Sequence, residues 1–306
     1  MLIVGEIRTC VLQNSGALPS SVLKDVLGLL PGERVRVSER PMAQALSPER
    51  ITGVDCPLPT LSGSRCRGVG TVAARAVVTG GRLLQASVYA RVERGVADHR
   101  LPWSHYLALP GVVRTTGRFD GDDIAAGYLA DPAPARTLDL GAVGERLISS
   151  VQLHGRLDHL VSLRTPRTRV RWVARIGDIQ NGDSRGLGTT AEFTLVDDVV
   201  RTLSVASPDD DLADVVGFCE DLALHDWMLT TVLRMVQRSG LGSASGAAAI
   251  DRLRPAIDQL LHLWMPGAHV SRPLLSLWES LESRPGFSRQ WQAVVARIRD
   301  QIALTR

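Results

Sequence analysis

Residues 68–93 read GVGTVAARAVVTGGRLLQASVYARVE, and the fold turns on how that stretch is read. Two apolar runs rich in Val and Ala, 68–78 and 82–93, flank Thr79-Gly80-Gly81. Glycine reaches the positive φ that a tight connection needs, so the pattern predicts a long β-hairpin. Upstream, 2–13 (LIVGEIRTCVLQ) reads as an opening strand, and 20–30 has helical spacing with a serine as N-cap and Pro31-Gly32 as its stop. In 33–40 Val35 and Val37 alternate with Arg34, Arg36 and Ser38, the period of a half-buried strand. Segment 41–66 carries Pro41, Pro48, Pro57 and Pro59 and reads as ordered loop.

Downstream, 100–119 runs as loop through Leu-Pro-Trp-Ser-His-Tyr-Leu to a short strand near Val112-Val113. A short helix and linker are expected within 120–136, and Asp139 reads as the cap of a helix to about Leu153. Residues 167–176, 191–196 and 199–205 form a second β group, the last two joined around Asp197-Asp198. From Asp209 the spacing is helical: 211–238, then a flexible GLGSASG break (240–246), then 247–264, 272–284 and 287–304. The expected fold is α+β: antiparallel β-hairpins with a few helices over 1–206, followed by a helical C-terminal region over 207–306.

A hydrophobic fraction of 44% and a charged fraction of 22% fit a folded chain of 306 residues and exclude global disorder. Net charge is +3, from 35 basic and 32 acidic residues, too even to point to nucleic acid. Lys24 is the only lysine, so arginine is the default surface cation and each single arginine says less. Glu6 and Arg8 interrupt the first apolar run before a signal-peptide core, and no segment approaches the roughly 18 apolar residues of a membrane span. A cytoplasmic location is therefore expected. Cys10, Cys56, Cys66 and Cys219 contain no C-x-x-C pair and read as buried thiols.

The familiar cofactor signatures fail on context. Gly68-x-Gly70-x-x-Ala73 has the letters of a dinucleotide fingerprint, but that motif needs a helix after its glycines, and RAVVTGG is strand-like. A hairpin strand with a glycine bulge is the expectation. Lys24 sits in Val-Leu-Lys-Asp, so there is no phosphate-binding P-loop, and Gly242-Ser-Ala-Ser-Gly246 has Ala244 where a nucleophile elbow needs serine. No H-E-x-x-H occurs, and the five-residue step from His154 to His159 splays them on a helix. No cofactor and no metal are expected.

Three groups remain as candidates. Asp221 and His225 stand at i and i+4 of the long helix, where they can orient a general base, supply two metal ligands, or simply tie one helix to its neighbour. His105, in Trp103-Ser104-His105-Tyr106, offers proton-transfer chemistry on a loop, or is part of an aromatic anchor. Arg167, Arg169, Arg171 and Arg175, with Arg164 nearby, share one face of a strand while Val170 and Trp172 point the other way. Such a row suits phosphate or an acidic partner, or is the solvated side of a sheet; it lacks the interleaved aromatics of a nucleic-acid surface.

MLIVGEIRTC (1–10), PGERVRVSERP (31–41), ITGVDCPLP (51–59), LPWSHYL (101–107) and CEDLALHDWMLTTV (219–232) together resemble an uncharacterised actinobacterial protein family. The resemblance runs over most of the chain and is densest in 1–111 and 217–235. It implies a gene cluster that also encodes a variant P-loop protein and a SAM-dependent methyltransferase. It implies no catalytic residue.

The leading expectation is a non-catalytic adaptor or scaffold subunit working with other proteins, the P-loop protein among them, with Trp264, Trp278 and Trp291 read either as surface anchors or, at least as readily, as core. The alternatives are an enzyme of peptide or metabolite modification built around Asp221, His225 and His105, and a nucleic-acid or phosphate binder using the Arg167–Arg175 row.

Overall fold

The structure is a computed structural model that describes residues 1–95, 99–117, 119–130, 136–161, 163, 165–177, 189–207, 211–240 and 246–305. In chain order the elements are β1 (Leu2–Val11), α1 (Ser20–Val26), β2 (Arg36–Ser38), β3 (Gln44–Leu46), β4 (Arg50–Pro57), β5 (Cys66–Thr79) and β6 (Leu83–Arg94). Then come α2 (Trp103–Leu107), β7 (Val112–Gly117), α3 (Gly121–Leu129), α4 (Leu140–Gln152), β8 (Thr168–Ile176), β9 (Thr190–Leu195) and β10 (Val200–Ser207). The last four helices are α5 (Leu212–Ser239), α6 (Gly246–Gln259), α7 (Leu275–Ser283) and α8 (Phe287–Thr305).

The strands form one mixed sheet in the order β2-β3-β5-β7-β6-β1-β8-β10-β9, with β4 on the same edge of β5 as β3. The α+β class and the helical C-terminal run are as the sequence implies. The long hairpin is there too: Thr79 faces Leu83 across Gly80 and Gly81, both at positive φ, and pairing continues to Ala73 opposite Tyr89. Beyond that point the two strands part and β7 enters between them, antiparallel to β5 and parallel to β6.

Gly70 marks the parting. A Cβ there would overlap the Val112 carbonyl oxygen and sit 2.8 Å from the Val113 Cα, so the glycine admits a neighbouring backbone and the expected bulge gives way to continuous pairing.

Other expectations are corrected by pairings that lie outside local sequence. Segment 41–66 contains β3 and β4, because the free edge of β5 supplies their hydrogen bonds. The sheet is not wholly antiparallel: β10 inserts between β8 and β9 and runs parallel to β8. Trp103–Leu107 is a short helix after Pro102, where a loop was expected.

The sheet is covered on both faces. Alternation along central β1 sends Ile3 and Ile7 to one side and Leu2, Val4 and Cys10 to the other. On the first side α5 packs over β1, β8 and β6, with α6 and α8 against it, and one hydrophobic cluster runs from Ile3 and Trp172 to Trp291 and Ile298. That cluster joins residues from both regions, 1–206 and 207–306. On the second side α4 lies over β6, β1 and β5, and α3 over β8 and β1. Trp278 and Trp291 are core residues, 5% and 6% exposed, and Trp264 stacks on Trp291 at 4.1 Å. The rings of Trp278 and Trp291 serve the interior, the core alternative of the sequence reading, and Trp264 is partly buried against the same cluster.

No helix among the described residues is long and apolar enough to cross a membrane.

Candidate functional site

β1 is flanked by β6 and β8, and an inner strand of this kind is normally apolar on both faces. Here its second face carries Glu6 and Arg8 in direct succession. The antiparallel register sets Glu6 opposite Arg171 and Arg8 opposite Arg169, so four charged side chains occupy adjoining positions of one sheet face. Glu6 is 2% exposed. Its Oε1 accepts from Arg8 Nε at 2.9 Å and lies 3.2 Å from Arg169 Nε. Arg8 reaches on to Glu145 of α4, and Arg171 donates to the carbonyls of Tyr128 (3.4 Å) and Ala130 (2.7 Å), capping the C-terminal end of α3 where a cation is favoured.

The first turn of α4 closes over this group. Asp139 caps the helix by accepting from the Ala142 N–H, as its sequence predicts. Gly141 lies directly on the ion pair: a Cβ there would overlap Arg8 Nη2 and Glu6 Oε1. Only glycine lets the positive end of the helix dipole come so close to these charges. Tyr128, on the last turn of α3, completes the wall; its hydroxyl is buried and has no hydrogen-bond partner among the described residues.

Between these elements is a cleft of about 430 Å³ whose lining includes Arg8, Arg136, Arg169 and Arg171 together with Glu6, Asp139 and Tyr128. Arg136 is exposed, on a left-handed backbone (φ 62°) just before the cap of α4. Burial lifts the Glu6 carboxyl above its usual range, against the opposing pull of Arg169 and Arg8. Burial likewise holds the Tyr128 phenol well above its ordinary range, so it remains a hydrogen-bond donor. The arrangement can receive an oxyanion: guanidinium forks match two oxygens, a helix N-terminus adds backbone N–H groups, and Tyr128 has an O–H to give.

The arginine row is thus split. Arg169 and Arg171 enter the cleft. Arg167 is held at 2.7 Å by Glu145, and Arg175 by Asp122 of α3 at 2.8 Å, where it lines a separate cleft beside Met1. The face they share is not bare and solvated; α3 and α4 cover it. Arg164 lies outside the described residues.

Asp221 and His225 meet on α5, but as a buried latch. His225 is fully buried; its Nδ1 donates to the Asp221 carbonyl at 2.7 Å, and its Nε2 accepts from the Met265 N–H at 3.2 Å. These two bonds define a neutral ring protonated on Nδ1. Asp221 Oδ2 accepts from the Gly267 N–H (2.7 Å) and from Trp278 Nε1 (2.9 Å). Burial lowers the His225 pKa and raises that of Asp221. The pair therefore ties the 265–267 turn and α7 to α5. His105 is elsewhere, with Arg114 Nη1 at 2.8 Å from its Nε2 and its ring edge-on to Tyr106.

Among the described residues no group of three or more His, Cys, Asp and Glu is placed to hold a metal ion. Cys10 lies on the arginine side of β1, but burial pushes its thiol up to about 11, so it is no ready nucleophile. Sequence reading passed over Glu6, Arg8, Tyr128 and Arg136. The signal was present in LIVGEIRTCV: two charges at i and i+2 within an apolar strand share one face.

Comparison with protein-family models, with curated proteins and with solved structures finds no match, so the functional reading rests on the site itself.

Proposed function

We propose that this protein is an anion-binding protein, which holds a phosphate-sized oxyanion, free or as the terminal group of a small ligand, in the cleft between β1, β8 and the N-terminus of α4. The observation that carries the reading is the buried Tyr128 hydroxyl, which has no hydrogen-bond partner among the described residues and stands at a cleft also lined by Arg8 and Arg169. A buried donor left without an acceptor is costly unless a ligand supplies one. The reading narrows the phosphate-binding alternative from the Arg167–Arg175 row to Arg169 and Arg171, and adds Arg8 and Arg136.

The test is thermal unfolding and titration calorimetry with phosphate, sulfate and phosphorylated metabolites, against chloride at equal ionic strength. Phosphate or sulfate raises Tm by mass action, by about 2.7 kcal/mol of added stability at a hundredfold excess over Kd, and Arg169→Met removes the effect. Oxyanions that do no more than chloride would end the proposal.

A second reading, the adaptor subunit, is favoured by one separate observation. The turn between β9 and β10, at the edge of the sheet, exposes Leu195, Val196 and Val199. Exposed apolar side chains gathered at a sheet edge suit a protein partner. Native mass spectrometry of gently purified protein tests it: a partner lost on Leu195→Asp supports the reading, and a chain that emerges alone counts against it.

A further inference from the structure

The carboxylate of Glu6 depends on the same guanidinium groups that a bound oxyanion would engage. Arg8 Nε and Arg169 Nε both address Glu6 Oε1, and β8 sets Arg171 directly across from it. Glu6 is 2% exposed beneath Gly141, so little water reaches it to replace an arginine that turns away. We infer that an oxyanion enters this cleft together with one proton, which Glu6 takes up. The inference rests on the reading of the cleft as an anion site.

The physical argument is a competition inside a closed group of charges. An anion seated on Arg8 and Arg169 neutralises them and brings a like charge within hydrogen-bonding reach of Glu6. Both changes favour the protonated carboxyl. The groups that face Glu6 make it the place where the proton lands. Arg8 on β1 and Arg169 and Arg171 on β8 stay charged throughout. From α3 comes Tyr128, whose phenol titrates far above the neutral range. From α4 come Asp139, exposed and engaged in capping, and Glu145, which is shared by Arg8 and Arg167 and lies nearer solvent. Arg136 stands exposed just ahead of the cap. Glu6 is the one buried carboxylate in this set, and burial has already moved it toward its neutral form.

The sign follows from linkage. Binding takes up a proton only between the Glu6 pKa of the free protein and the higher one of the complex, and within that window affinity falls as pH rises, by about tenfold per pH unit.

Sulfate is the probe, because its own charge does not change over this range. Calorimetric titration of wild-type protein in two buffers of different ionisation enthalpy, between about pH 5 and 8, reads the protons taken up directly. The expected result is uptake approaching one proton per sulfate inside the window, and a Glu6→Gln variant, shown to be folded by circular dichroism, that binds sulfate with no proton uptake and a flat pH profile. Sulfate binding to wild-type protein without proton uptake across the whole range overturns the inference while leaving the anion site standing. Proton uptake that persists in Glu6→Gln also overturns it. No sulfate binding at any pH overturns the anion site and this inference together.

Discussion

Under α5 the buried arginines of the sheet meet carboxylates of that helix. Arg75 of β5 makes two bonds of 2.7 Å to Glu220, and Arg201 of β10 bonds Asp226 at 2.7 Å. The third buried carboxylate of α5, Asp221, is met by the Gly267 N–H and the Trp278 indole. Under α3 and α4 the charged groups border a cleft instead: Arg8 and Arg169 both address Glu6, Arg8 reaches on to Glu145, and Tyr128 keeps a buried hydroxyl with no partner among the described residues. Both faces bury charge in a protein whose cation is almost always arginine. Mutual pairing fixes one helix on one register, which is a structural role. Charged groups and an unmet donor at a cleft suit the binding role proposed above. Arginine content does not separate the two.

The largest expected effect breaks the paired face. Arg75→Met leaves Glu220 buried without its partner and is expected to cost about 3–5 kcal/mol in urea unfolding, while Arg75→Met combined with Glu220→Leu recovers most of it. A single variant as stable as wild type would remove the distinction between the faces. Next is Gly5→Ala. Gly5 lies across from Trp172, and an added Cβ would overlap the indole ring, so a loss of about 1–3 kcal/mol is expected by the same measurement.

On the cleft face a smaller loss of stability is expected: Arg169→Met leaves Glu6 with its bond from Arg8, so its cost in urea unfolding is below that of Arg75→Met. Its sulfate affinity, read by calorimetry, falls at least about tenfold. A variant that unfolds but still binds would invert the comparison.

The smallest effect concerns His225. Its folded pKa is lowered from 6.5 by burial, so its contribution to stability is complete above 6.5 and is lost as pH falls through the lower folded value. Urea unfolding of wild-type protein is expected to weaken on acidification more than that of His225→Asn; equal slopes would mean that His225 is not held neutral.

Legibility in the sequence divides along similar lines. The hairpin around Gly80-Gly81, the Asp139 cap of α4 and the span of α5 were readable because each is decided by residues within one or two turns of chain. β4 was missed because Arg50–Pro57 becomes a strand only by pairing with β5. The tryptophans of α7 and α8 were left open between surface and core because helical spacing shows a stripe but not what covers it. Glu6 and Arg8 were seen as a break in an apolar run. Their meaning depends on Arg169 and Arg171, more than 160 residues away, being drawn alongside by the β1–β8 register.

By itself, then, the sequence determined the α+β class, the long hairpin, the Asp139 cap of α4 and the sharing of one strand face by Arg169, Arg171 and Arg175. Those are consequences of backbone period and local hydrogen bonding, which neighbours in the chain decide. The serine cap expected for the helix at 20–30 is absent, since Pro19 stands at that position and no side chain caps α1. Tertiary structure alone decided that β7 parts the hairpin, that Asp221 and His225 form a latch, and that two arginines of the row join Glu6, Arg8 and Tyr128 around a cleft. The reason is physical: whether a buried charge is paired under a helix or borders a cleft depends on which strands lie side by side and which helix covers them, and long-range pairing sets both.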